Sequence, residues 1–168
     1  METDMTNKKC LRISILVGRS AHPQAVIDDL WKRAISAVDQ ERWQVVGTAV
    51  YVEDGSVRVK SPDDGLSLVP MQAPRERRIA KVSSSLSDKP GPVGAAARLA
   101  QDNLASRRLA KALADRKDLV DAFCGSAVVV AADLIADRAV WQLRNQTKAE
   151  LVHGPVAMLH VLRQLVRK

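Results

Sequence analysis

Apolar residues along this chain recur at two different spacings, and the alternation between them sets out the expected elements. Over residues 24–39, Val26, Ile27, Leu30, Trp31, Ala34, Ile35 and Val38 fall three and four apart, with Asp28, Asp29, Lys32 and Arg33 between them. That spacing predicts an amphipathic helix with one buried face. A longer helix is predicted over 95–115, where Ala97, Ala100, Leu104, Ala105, Leu109, Ala112 and Leu113 are three to five apart. Gly91, Pro92 and Gly94 mark its entrance, because neither residue type sits comfortably inside a helix. Cys124-Gly125-Ser126 breaks the pattern, and the β-branched run at 127–131 suits a strand buried on both faces. Asp133 then caps a helix ending near Leu143.

Earlier in the chain the period shortens to two. Leu11, Ile13 and Ile15 alternate with Arg12 and Ser14, so 11–17 reads as a strand that Gly18 ends, with a turn at 20–23. Residues 43–52 are β-rich, and 57–60 alternate beyond Asp54-Gly55. An Asp-Gly between two β runs predicts a hairpin. Leu66, Leu68 and Val69 suggest a short strand before Pro70, and residues 79–82 suggest another. The segment 144–150 is polar, and His153-Gly154-Pro155 breaks the chain ahead of a last helix over 156–166. The expected fold class is α+β: a single, mostly antiparallel sheet with helices packed on one side. Residues 1–9 are expected to be a flexible leader, and 10–168 one domain.

Composition narrows the function classes. The chain has 168 residues, 46% of them hydrophobic, enough to bury a core without disulfides or metal. No uninterrupted apolar run reaches the ~18 residues needed to span a membrane, so no membrane partner is expected. Residues 1–10 are polar and lack the apolar core of a signal peptide. Cys10 and Cys124 are too few for a disulfide framework, which points to reduced thiols and a cytoplasmic location. A net charge of +7 favours polyanions. Aromatic residues make up only 3% of the chain, against a single-strand binder built on stacking platforms.

Candidate chemistry is sparse. His22, His153 and His160 have no second ligand at metal-binding spacing. Ser20 and His22 share a turn, where neighbours seldom point at one another. Gly91-Pro92-Val93-Gly94 matches no phosphate-binding fingerprint and reads as a helix entrance. Basic residues cluster at Arg75/Arg77/Arg78/Lys81 and at Arg116/Lys117. Arg107, Arg108 and Lys111 are placed on one helix face, opposite Leu104, Leu109 and Leu113, as a candidate polyanion-binding stripe. Asp54 and Asp64 each sit beside a Gly, where a carboxylate is usually turn chemistry.

The order of these elements resembles the class III nucleotidyl (adenylate/guanylate) cyclase homology domain, in its short, stand-alone bacterial form. In that family a first strand ends in a D-x-x-G-[FY]-S turn, a GDG hairpin follows, and a G-x-x-V-N-x-A-x-R-L helix precedes a buried strand and helix. Gly18 and Ser20 match the first turn. Val52-Glu53-Asp54-Gly55 resembles the hairpin, with Asp63-Asp64-Gly65 as a rival, and GAAARL at 94–99 and residues 127–140 resemble the last units. The resemblance implies a ferredoxin-like core and a homodimer, or a heterodimer with a related protein. It also implies a residual site for Mg²⁺ and a nucleotide at Gly18, Ser20, Asp54, Asp64, Gly94 and Arg98. Ile15 stands where the first metal-binding Asp is expected, and two-metal catalysis needs both ions clamped. The implied role is therefore a catalytically degenerate regulatory or assembly module in nucleotide signalling. The alternative is a small basic nucleic-acid-binding protein using Arg107, Arg108 and Lys111.

Overall fold

Five β runs in the computed structural model pair into one sheet, and every pairing is parallel. The structure describes residues 8–53, 59–72 and 91–167. In chain order the elements are β1 (Lys9–Val17), α1 (Pro23–Ser36), β2 (Trp43–Glu53), β3 (Leu66–Gln72), α2 (Pro92–Ala114), α3 (Lys117–Cys124), β4 (Val128–Ala131), α4 (Leu134–Trp141), β5 (Glu150–His153) and α5 (Gly154–Leu165). A short 3-10 turn, Gln142–Asn145, joins α4 to β5. The strand order is β3-β2-β1-β4-β5, with β1 at the centre.

Parallel strands require crossover connections, and crossovers bring helices onto the sheet faces. Leu11, Ile13, Ile15 and Val17 of β1 point to one face. There they pack with Ile27, Leu30, Trp31 and Ala34 of α1 and with Met158 and Leu162 of α5. Leu16, Val50, Val129 and Ala131 point to the other face, against Leu109 and Leu113 of α2, Phe123 of α3 and Ala139 and Val140 of α4. All four residues of β4 are buried, because a central parallel strand is covered on both sides. The edge strand β3 carries Pro70 opposite Tyr51, a position where a missing N–H is tolerated.

Two parts of the sequence-based expectation are corrected here. The sheet is parallel throughout rather than mostly antiparallel, and α1 and α2 lie on opposite faces rather than one. The ferredoxin-like core implied by the cyclase resemblance is antiparallel, so this sheet does not have that architecture. The three runs 11–17, 43–52 and 127–131 do join one sheet. The hairpin expected at Asp54-Gly55 and the strand expected at 79–82 lie outside the described residues, as does most of the expected leader. β1 begins at Lys9, within that leader. Three elements went unforeseen. A break at Asp115-Arg116 separates α3 from the long helix, the 3-10 turn occupies part of the polar segment, and β5 forms at 150–153.

Trp31 is one of four buried residues, with Ile27, Leu30 and Ala34, that fix α1 to the sheet. Its indole lies over Gly47 of β2, and its Nε1–H donates to Asp63, which tethers the β2–β3 connection. A Cβ on Gly47 would stand 2.7 Å from Trp31 Cζ3 and 2.8 Å from the Ile13 carbonyl oxygen. One of those neighbours is backbone in the central strand and cannot step aside. Gly47→Ala is expected to destabilise the fold by about 1–3 kcal/mol, the usual range for overpacking. Urea denaturation of the variant checks this, and an unchanged midpoint would show that the indole has room to move.

Candidate functional site

In open parallel sheets, ligands settle outside the carboxyl ends of the strands where the strand order reverses. Here the chain leaves β1 towards β2 and later returns on the other side of β1 as β4. The connections after β1 and after β4 therefore meet at one crevice. Asp133, extended at φ −147° and ψ 168°, precedes α4. Its Oδ1 accepts from the backbone N–H groups of Ile135 (3.0 Å) and Ala136 (2.9 Å), the ordinary cap of a helix N-terminus. Its Oδ2 reaches across the crevice and accepts from the N–H groups of Gly18 (2.8 Å) and Arg19 (3.1 Å). A Cβ on Gly18 would lie 2.6 Å from Asp133 Oδ1, so the residue ending β1 must be small.

This carboxylate fills the position in which parallel α/β proteins hold a ligand's phosphate on loop and helix amides. The Gly18 and Arg19 amides are committed to Asp133, and a phosphate brought there would face a like charge. Ser20 is likewise engaged locally: its Oγ accepts from the His22 backbone N–H at 3.1 Å, and its partner is not the imidazole. Asp64 precedes β3 and so lies at the amino edge of the sheet, whereas Gly18 and Ser20 lie at the carboxyl edge. Gly94 and Arg98 sit in the first two turns of α2, Gly94 buried and Arg98 exposed. Asp54 lies outside the described residues. The expected residual site is thus divided between the two edges of the sheet and a helix. Among the described residues, no three His, Cys, Asp or Glu side chains are grouped to hold a metal ion. No helix among them is long and apolar enough to cross a membrane.

The other chemistry at the carboxyl edge was not anticipated. His153 ends β5, and its Nδ1 stands 2.6 Å from Oδ1 of Asp137, in the first turn of α4. With the carboxylate accepting from Nδ1–H, the neutral ring presents its Nε2 lone pair outward, and the His153 side chain is 51% exposed. Gly154, at φ +71°, turns the strand directly into α5, a conformation suited to glycine. Leu134 and Val156 stand at the same edge, 78% and 80% exposed. Sixteen residues separate His153 from Asp137, so no local spacing links them. The available clue was that both end up at the carboxyl edge of one β-α-β unit.

Remaining candidates have structural roles. His160 Nε2 is 3.0 Å from Gln164 Nε2, which donates to it. Burial pushes the Cys124 thiol above its usual range, aided by the Asp121 charge and opposed by a hydrogen bond with Thr147, so it is a poor nucleophile. Arg116 holds the Asp118 carboxyl below its usual range, first by hydrogen bonding, at the start of α3. The basic stripe differs from expectation. Leu109 and Leu113 are buried, but Leu104 is exposed, three and seven residues from Arg107 and Lys111 and on their side of α2. Arg107 and Lys111 face solvent, while Arg108 is half-buried. The Arg75/Arg77/Arg78/Lys81 cluster lies outside the described residues. Compared with known proteins, the chain matches no protein-family model and is similar to no curated protein.

Removing the Asp133 side chain would orphan the amides of Gly18, Arg19 and Ile135 and leave Ala136 only its 3.1 Å bond to the Asp133 carbonyl. Asp133→Ala is expected to cost about 2–3 kcal/mol, more than the ~1 kcal/mol of an ordinary cap, because the Gly18 and Arg19 amides lose their acceptor too. Asp133→Asn, which keeps one acceptor oxygen, should lose less. Equal, cap-sized losses in both variants would show that the bond across the crevice contributes little.

Proposed function

We propose that the chain binds a small molecule at the carboxyl edge of its sheet, over β4 and β5, and that His153 exchanges a proton with it. The observation that carries this reading is the 2.6 Å contact between Asp137 Oδ1 and His153 Nδ1. It fixes which ring nitrogen carries the proton and leaves Nε2 as a base at the edge where such sheets take ligands. Among the described residues, no partner engages Nε2. The exposed Leu134 and Val156 suit a ligand with an apolar body, and Nε2 suits a hydroxyl on it. A structural ion pair is the competing account. An exposed pair of this kind is worth little to stability, which separates the two accounts experimentally.

p-Nitrophenol, an apolar ring bearing an acidic hydroxyl, is a suitable probe. In ¹H–¹⁵N spectra it should shift the amides of Leu134, His153 and Val156 saturably, and His153→Ala should abolish those shifts while the fold persists. Turnover of p-nitrophenyl acetate should fall about tenfold or more in His153→Ala and stay near wild type in His22→Ala and His160→Ala. Equal contributions from all three histidines would reduce His153 to an ordinary surface imidazole.

A second reading, polyanion binding by α2, is favoured by one observation: Arg107 and Lys111 are exposed one turn apart and make no salt bridge with described residues. Replacing Arg107, Arg108 and Lys111 by Gln should change stability by only a few tenths of a kcal/mol. If nucleic acid binds there, the same change should weaken binding and lower the salt slope by up to about three phosphate contacts. Gel shifts with DNA and RNA, wild type beside variant, measure both.

A further inference from the structure

Among the described residues, the α2 side of the sheet is covered along only half of its length. Towards the carboxyl ends it presents Leu16, Val50 and Met71, all buried. Towards the amino ends the same face carries Arg12 and Ser14 of β1, Gln44, Val46 and Thr48 of β2, and Ser67 of β3. Arg12, Gln44 and Ser67 are exposed. The register places Arg12 beside Val46, Ser14 beside Thr48, and Thr48 beside Ser67. Three hydroxyls therefore form a row across three neighbouring strands, roughly 5 Å per step. A groove of about 430 Å³ follows, lined by Arg12, Gln44, Val46, Thr48, Asp64 and Ser67 together with Gly47 and Gly65.

A parallel sheet ordinarily buries both faces under apolar side chains, and an arginine on the central strand departs from that rule. Departures of this kind concentrate at functional sites. The polar groups of the groove also lack internal partners among the described residues. Among the described residues, nothing hydrogen-bonds or ion-pairs with the side chains of Arg12, Gln44, Thr48, Asp64 or Ser67. Ser14, at the covered end of the row, is satisfied by contrast. Its Oγ is 2.7 Å from Ser126 Oγ, which itself donates to the Ala122 carbonyl at 3.0 Å. Ser14 is therefore the donor of the pair.

We infer that this groove is a second binding site, for a small polar molecule that carries an oxyanion at one end and N–H or O–H donors at the other. The Arg12 guanidinium presents the fork that matches a carboxylate or phosphate. Asp64 accepts only, so it takes a donor, and the hydroxyls of Thr48 and Ser67 serve either role between them. Arg12 and Asp64 stand two strands apart, roughly 10 Å across the sheet, a span for a molecule of five or six heavy atoms in a row. This site lies at the amino edge, away from His153, and does not depend on the reading given to that residue.

L-Glutamate and glycerol 3-phosphate carry the two oxyanions, and glycerol lacks one. Titrated into ¹⁵N-labelled protein, either of the first two should shift the amides of Val46, Gly47, Thr48, Gly65 and Ser67 saturably, and glycerol should not. The tighter of the two identifies carboxylate or phosphate as the end that Arg12 holds. Arg12→Gln should weaken that binding at least tenfold and Arg12→Lys by less, with unchanged spectra elsewhere reporting an intact fold. The inference is overturned if neither oxyanion shifts these amides up to 20-fold molar excess over ~1 mM protein, if Arg12→Gln binds as well as wild type, or if the shifts map to Arg107 and Lys111 instead.

Discussion

The four amides that converge on the Asp133 carboxylate hold the carboxyl edge of this protein in place. A parallel sheet leaves every strand by a loop on that edge, and the loop after the central strand has no neighbour to pair with. Asp133 ties it to the start of α4: one oxygen caps the helix, and the other takes the two amides that end β1. Fixing where α4 begins also fixes Asp137, four residues on and on the same side of the helix. The carboxylate beside His153 is thus positioned by the one that closes the crevice.

Occupation of the crevice by a side chain has a chemical consequence. A carboxylate seated on loop and helix amides satisfies donors that would otherwise attract anions. It also repels a phosphate through space, with an attraction or repulsion of about 4 kcal/mol for unit charges 4 Å apart at an effective dielectric of 20. Arg19, next to Gly18 in the same loop, is exposed, so water and salt screen its charge. A ligand of the carboxyl edge is then better served by His153 and the apolar Leu134 and Val156 than by the β1 loop.

Much of the secondary structure was legible from the sequence, and the way it assembles was not. The 3.6-residue pattern around Trp31 marks α1 because a buried helix face leaves a strong imprint. The run at 128–131 marks a strand covered on both sides, which is itself the signature of a parallel sheet. Asp54-Gly55 outweighed that signature, since a hairpin cue is local while strand direction is set by distant partners. β5 escaped notice because its four residues offer only two half-buried apolar side chains, Leu151 and Val152, between the exposed Glu150 and His153. The expected apolar stripe of α2 holds at Leu109 and Leu113 but not at Ala100 and Leu104, which are exposed, for a related reason. Alanines contribute little to a hydrophobic pattern, and only Leu109, Ala110 and Leu113, with Gly94, are buried along 23 residues. The His153–Asp137 contact had no local signature, because it forms only when β4, α4 and β5 have folded against one another.

Arg12 is the residue whose meaning changes most between sequence and structure. In the sequence it is merely the polar phase of an alternating strand. In the structure that strand is the centre of a parallel sheet, where both phases are expected to be apolar. One polar residue in such a place could be an isolated tolerance, kept in water by a gap in the cover. Here the polarity is shared by segments far apart in the chain: Arg12 and Ser14, Gln44 and Thr48, Asp64 and Ser67. Strand register brings them onto one surface, while the same strands turn apolar one or two alternations later, at Leu16, Val50 and Met71. A boundary that three separate segments draw at the same height in the sheet is a property of the face as a whole. It is the pattern expected where water or a polar ligand, and not a helix, is the partner of that half of the sheet.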